Sequence, residues 1–238
     1  MKHLLSVLAL ALFVGVPCRA QVAAETDWLT LRPDPAVPQG ENLAVPEGWQ
    51  WRLDHADAEA HLVAGTEPVK TDVRFVNMTP GWHITTGPAV ILYHPALSAQ
   101  GSYRAEVKFH LFPPGERNES FGLFVGGSDL DGEDQSYLYF LIRKTAEFLV
   151  MRRDGDSTSV VHEWTAHPAI VPYTSDTEGT ATNILAVEAA ADSMIFFVND
   201  QKVAAVPRGA LPADGLVGLR VNHALNVHVS DLKALSLE

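Results

Sequence analysis

The chain reads as an all-β protein, a two-sheet antiparallel β-sandwich of the jelly-roll kind, on three observations. Apolar and polar residues alternate with a period of two over most of its length. The alternating runs are short and are separated by turn residues such as Pro113-Pro114-Gly115, Asp154-Gly155, Asn199-Asp200 and Asp214-Gly215. No window carries a convincing helical stripe; DHADAEAHL, residues 54–62, comes nearest and is short.

The first twenty residues stand apart. MKHLLSVLALALFVGVPCRA has a basic start at Lys2, an apolar run over residues 4–16 and small residues around Cys18 and Ala20. That is the layout of a secretory signal peptide cleaved after Ala20, and it predicts a secreted or periplasmic protein. The apolar run is short for a bilayer span and no stop-transfer pattern follows, so no transmembrane segment is expected. Cys18 is the only cysteine, so the mature chain is expected to form no disulfide and to rest on its core alone. Residues 21–48 hold Pro33, Pro35, Pro38 and Pro46 with no apolar period, and read as an extended arm, because proline donates no amide hydrogen and fixes its own backbone. The sandwich domain is placed over residues 49–238, a length one all-β unit commonly reaches.

Within that domain strands are expected at 49–53, 73–77, 82–86, 89–93, 103–112, 121–127, 136–143, 147–153, 158–164, 183–189, 193–199, 202–206, 216–222 and 225–232. In YRAEVKFHLF, residues 103–112, Tyr103, Ala105, Val107, Phe109 and Leu111 share one face, and Arg104, Glu106, Lys108 and His110 the other. SYLYFLIR, residues 136–143, is apolar or aromatic on both faces, as in a central strand covered on both sides or one with a face in a groove. Unequal strand spacing argues against a propeller.

Charge narrows the partners. Without Lys2 and Arg19 the chain has 15 basic and 29 acidic residues, a net charge of 15 − 29 = −14. Such a surface repels phosphate backbones and anionic membranes, so nucleic acid is not an expected partner.

Residues 195–232, IFFVNDQKVAAVPRGALPADGLVGLRVNHALNVHVSDL, carry a more particular pattern: a strand ending in an Asn-Asp turn, a second strand, then G-x-V-G-L-R and a closing strand. Val217, Leu219, Val221, Leu225, Val227 and Val229 alternate toward a core. The segment resembles the C-terminal half of concanavalin A-like jelly rolls, and within them the 3-keto-disaccharide hydrolase domain family, which is related to laminarinase-type glucanases. The resemblance extends over residues 72–235 and implies a secreted protein that handles glycans, as an enzyme or as a binding module.

The loop GGSDLDGED, residues 126–134, concentrates four acids at Asp129, Asp131, Glu133 and Asp134. The related glucanases carry E-x-D-x-x-E on one strand, and Asp129, Asp131 and Asp134 repeat that spacing with shorter side chains in a polar, glycine-containing loop. Retaining hydrolysis needs two carboxyls held about 5 Å apart, for which a flexible loop is a poor frame. The remaining readings are a Ca²⁺ site using Asp129, Asp131 and Asp134, or a solvated acidic turn. No other cofactor is suggested. In HEWTAH the two histidines, His162 and His167, are five apart and on no helix, so the segment is not a zinc-protease motif. G-x-S-x-G, P-loop and dinucleotide-binding motifs are absent from the sequence.

A polar and aromatic face remains. Tyr137, Tyr139 and Arg143 share one side of residues 136–143, and Arg220, Asn222, Asn226 and His228 point opposite to the core set; His83, Tyr93 and His94 lie near a turn. Aromatic platforms with planar polar groups suit sugars, so Tyr137, Tyr139, Arg143, Arg220, Asn222 and His228 are the expected ligand-binding residues for a glycan or polysaccharide. Trp82 and Trp164 are read as core. The alternative is a non-catalytic structural or adhesive module that docks another protein through its rim loops, a reading that an exposed apolar patch in place of a polar groove would favour.

Overall fold

A computed structural model describes residues 44–54, 61–63, 72–174, 176–177 and 179–237. The expected signal segment, most of the proline-rich arm and the interior of DHADAEAHL lie outside these. At the end of the arm Pro46 is buried, and the Ala44 carbonyl accepts a hydrogen bond from the Asn77 amide at 2.9 Å.

The described residues form fifteen strands, numbered in chain order, in two sheets. The seven-stranded sheet runs β1 (Gln50–Leu53), β5 (Val90–Ala99), β14 (Gly215–Val221), β7 (Ser120–Ser128), β8 (Ser136–Arg143), β9 (Glu147–Asp154), β10 (Ser157–Ala166). The eight-stranded sheet runs β13 (Gln201–Pro207), β12 (Ser193–Val198), β11 (Ala181–Ala189), β6 (Tyr103–Leu111), β15 (Asn226–Ser236), β4 (Trp82–Thr86), β3 (Val73–Asn77), β2 (Leu62–Val63). All pairs are antiparallel except β2 with β3. Every strand expected from the alternation is present. β2 was not expected, because two residues are too few to show a period, and β5 runs on past its expected end through Pro95. Pro95 fits because β5 pairs with β14 at Tyr93 and again at Ser98 but not between, where a proline would have left a ladder bond unmade.

Alternation fixes which face each strand buries. On β6, Tyr103, Ala105, Val107, Phe109 and Leu111 enter the core while Arg104, Glu106, Lys108 and His110 stay half-exposed on the other face. Val217, Leu219 and Val221 from β14 meet Val227 and Val229 from β15 in the same core. Rings from opposite sheets bridge it: Phe109 and Phe121 have centroids 5.1 Å apart, and Phe140 and Phe196 5.2 Å. Contacts of this kind supply the apolar burial that a chain without disulfides depends on. The hairpin between β12 and β13 turns at Asn199 and Asp200 with φ of 50° and 63°, the left-handed pair that Asn and Asp tolerate, and the Asn199 side chain accepts from the Ile184 amide at 2.8 Å.

On the outer face of the eight-stranded sheet, His228 stands opposite His83 on one side and His110 on the other. His83 and His228 are each 1% exposed. Burial, then the charges of Arg74 and His228, lower His83 from 6.5 to about 3; burial, then His110, lowers His228 to about 4. The Asn226 side chain and the Pro80 carbonyl favour the protons, but by less. Both rings are therefore neutral in the fold, whereas the unfolded chain protonates them near 6.5. Stability is complete above that pH and falls as the pH drops toward 4, by up to about 1.4 kcal/mol per pH unit per histidine. Urea midpoints measured in steps from pH 7 to pH 4 should decline, and His228→Gln should flatten the decline; equal slopes for the two proteins would refute the assignment.

Candidate functional site: a groove on the seven-stranded sheet

The outer face of the seven-stranded sheet holds a groove of about 410 Å³, lined by residues from β7, β8, β9, β10 and β14 and by Asp54 after β1. Its floor is apolar. Leu141 and Tyr139 of β8 lie beside Leu149 and Met151 of β9, since the antiparallel register sets Tyr139 against Met151 and Leu141 against Leu149. The opposite side of β8, with Leu138, Phe140 and Ile142, belongs to the sandwich core, which is why this strand is apolar on both faces.

Glycines let the strands and rings of this face pack closely. Gly122 of β7 lies in register between Arg220 and Leu141, where a Cβ would come within 2.0 Å of the Phe140 carbonyl oxygen. At Gly218 of β14 the Phe124 ring occupies the space, 2.5 Å from where a Cβ would stand.

The polar centre is built on Arg220. Its guanidinium donates to both carboxylate oxygens of Asp54, through Nη1 at 2.7 Å and through Nη2, and Nη1 also donates to the Tyr137 hydroxyl at 3.1 Å. Its plane stands 4.7 Å from the centre of the Tyr139 ring. Burial disfavours this charge, but the Asp54 hydrogen bonds and the surrounding electrostatics outweigh it and hold Arg220 above its ordinary range. Burial raises the hydroxyls of Tyr137 and Tyr139, with Arg220 opposing in part. Beside this pair the Asn222 amide donates to Ser120 Oγ at 2.9 Å, and both side chains line the groove.

The expected ligand-binding residues separate into three positions. Tyr139, Arg220 and Asn222 line the groove. Tyr137, 1% exposed, lies beneath it as support for Arg220, and Arg143 stands at the edge, paired with Glu147 at 2.6 Å and set 4.1 Å over the Trp164 ring. His228, with Asn226 and His83, is on the outer face of the other sheet. The alternation had placed Arg220, Asn222 and His228 correctly as pointing away from the core, but β14 and β15 belong to different sheets, so "away from the core" is two opposite directions. Tyr93 joins Phe124 in the apolar layer beneath the groove face, and His94 packs on Trp49, with ring centroids 6.2 Å apart.

Trp164 is corrected as well. It lines the groove because the β9–β10 register shifts between His162 and Thr165, and such an irregularity re-aims the side chains within it. Trp82 does pack on the core, with Trp49 4.8 Å away. Sequence reading missed Asp54, which stands 166 residues from Arg220, and also Arg153, Asp156 and Thr158 of the β9–β10 hairpin. Nothing local marks Asp54, whereas the Asp-Gly hairpin signal placed the other three near one another.

The acidic loop is a structural plug. Leu130, 2% exposed, enters the cluster of Tyr93, Phe124 and Tyr137, and the carbonyls of Leu130 and Gly132 accept from Arg52. Asp129, at φ 48°, closes the turn by accepting the Asp134 amide at 3.0 Å. Among the described residues no three or more His, Cys, Asp or Glu side chains are grouped so that they could hold a metal ion. The carboxylate of Asp129 is directed into its own turn instead. These acids do not line the groove.

The fold and face together define an all-β jelly roll of the concanavalin A-like kind with an open groove on one sheet. No protein-family model matches the chain, and no curated protein matches it. Among solved structures it is similar to the carbohydrate-binding module CBM66 from Bacillus subtilis, at a TM-score of 0.55 and 12% identity over 78% of this chain and 95% of the module. It also matches a Bacillus licheniformis β-glucanase at 0.47 and 10% identity over 70% of this chain and 82% of the enzyme. Sheep galectin-11 matches at 0.44 and 16% identity over 58% of this chain and 93% of the galectin. The likeness to the carbohydrate-binding module is one of fold.

Removal of Asp54 leaves a buried guanidinium without its carboxylate. Asp54→Ala should cost about 3–5 kcal/mol, and the double variant Asp54→Ala with Arg220→Met should lose less than the single one. Urea unfolding of the three proteins checks this, and a single variant that unfolds like the native protein would show that the pair contributes little.

Proposed function

We propose that the protein is an exported glycan-binding jelly roll, and that the groove of the seven-stranded sheet holds a short saccharide. One observation carries the reading. A carboxylate fixed by a buried arginine, and an amide beside it, stand over a floor of Tyr139, Leu141, Leu149 and Met151. A sugar ring has an apolar C–H face and hydroxyls at its rim, and a groove with an apolar floor and a few convergent polar groups matches both. The Asn222 side chain would read hydroxyls, and Trp164, backed by Arg143, would stack on a ring. The likeness to a carbohydrate-binding module over nearly that module's whole length supports this reading, as does the N-terminal pattern of a secretory signal.

Binding is favoured over hydrolysis. Retaining cleavage needs carboxyls about 5 Å apart and inverting cleavage about 6.5–9.5 Å, each held by packing. The acids lining the groove are Asp54, committed to Arg220, and Asp156, whose side chain is fully exposed. A protein-docking role has less support: the exposed large hydrophobics among the described residues are Val45, Val160, Val171, Leu235 and Leu237, of which only the last two share a segment.

A panel of neutral and acidic oligosaccharides should contain members that raise the melting temperature, since a ligand selective for the folded state stabilises it. Trp164→Ala should weaken that binding by about tenfold or more, equivalent to about 1.4 kcal/mol. Chromatography of the bound glycan after prolonged incubation should show no product. A panel without a single stabilising glycan would sink the reading.

A further inference from the structure

Among the described residues five arginines are closely matched to carboxylates: Arg104 to Glu188 at 2.9 Å, Arg143 to Glu147 at 2.6 Å, Arg152 to Asp154 and Arg208 to Asp214 at 2.8 Å each, and Arg220 to Asp54. Arg153 differs. It lines the groove and is 9% exposed, yet the carboxylate beside it, Asp156, is 4.0 Å away on a fully exposed side chain.

The Arg153 guanidinium is held by neutral groups. Nε donates to the Gly155 carbonyl at 2.7 Å. Nη2 donates to the Gln135 side-chain oxygen at 3.2 Å, with that amide oriented to face two guanidinia, because the same oxygen accepts from Arg52 at 3.1 Å. Two cations thus share one uncharged acceptor. A mostly buried charge without close compensation is costly, and an incoming anion would supply that compensation through charge-assisted hydrogen bonds, which a guanidinium can make in pairs. The two ties also fix the side chain in place, so little further freedom is lost on binding. The antiparallel register sets Thr158, which also lines the groove, directly opposite Arg153 on β10.

We infer that the Arg153 end of the groove recognises an anionic substituent, a carboxylate or a sulfate, on an otherwise neutral saccharide. The inference rests on the glycan reading above and specifies its ligand class. A formal net charge of −12 on the whole chain opposes a densely charged polyanion, so the favoured ligand carries isolated negative groups. Asp156 is the group an arriving anion must displace from the neighbourhood of Arg153.

The test uses matched probes and calorimetry: a xylo-oligosaccharide with and without a glucuronate substituent, and lactose with and without a single sulfate. The native protein should prefer a charged member by about tenfold, and the pair that shows the preference identifies carboxylate or sulfate. Arg153→Gln should abolish the preference and Arg153→Lys should restore part of it. Asp156→Asn, a change at a fully exposed side chain, should strengthen binding of the charged member, which keeps the test decisive should Arg153→Gln fail to fold. Equal affinity for charged and neutral members would overturn this inference and leave glycan binding intact. Binding of no saccharide from these pairs or from the wider panel would overturn the glycan reading, and the inference with it.

Discussion

The ion pair between Arg220 and Asp54 organises the face on which function is proposed. A guanidinium this deeply buried is tolerable only with its carboxylate in place and its remaining surface on an aromatic ring. Once those conditions are met, much else is constrained. The chain after β1 must bring Asp54 to the centre of the sheet, Tyr137 must direct its hydroxyl at Nη1, and Tyr139 must lie flat enough to face the guanidinium. Gly122 must stay without a side chain for β7 and β8 to approach as they do. The pair thus ties the first strand of the domain to one of its last two.

The two outer faces of the sandwich make a contrast from one alternating pattern. On the seven-stranded sheet the outward positions carry rings, aliphatic side chains and a matched ion pair around an open groove. On the eight-stranded sheet they carry buried imidazoles on β4 and β15, and farther along β6 the exposed network in which Arg104 meets Glu106, Glu188 and Asp200. The first arrangement presents fixed dipoles and an apolar floor to a ligand. The second either excludes water from neutral rings or engages charges with one another.

Much of the fold was legible in the sequence because period two and turn chemistry are local signals. The strands of residues 103–112 and 136–143 could be read from side-chain order alone, as could the Asn199-Asp200 hairpin. The site was legible in part. Tyr139, Arg220 and Asn222 were found because each points away from a core that its own strand defines. His228 was grouped with them wrongly because alternation gives a direction relative to the core and not the sheet to which a strand belongs. Trp164 was assigned to the core because a register shift on an edge strand leaves no mark in composition. Asp54 was out of reach, since a contact across 166 residues has no local signature. The acidic loop drew attention by its charge, while what it contributes comes from Leu130 and two backbone carbonyls.

The uneven pairing of β10 has a further consequence, for how the protein behaves among its own copies. β10 is ten residues long, lies at the border of its sheet and exposes Val160, the description of a surface on which a second molecule could start a shared sheet. Its shifts after Val160 and after His162 divide the strand so that only Ser157–Val160 runs four residues in regular step. A neighbour approaching this border would find its backbone groups matched over a short stretch and then misaligned. The irregularity that turns Trp164 toward the groove therefore also works against the pairing of a second molecule along this border.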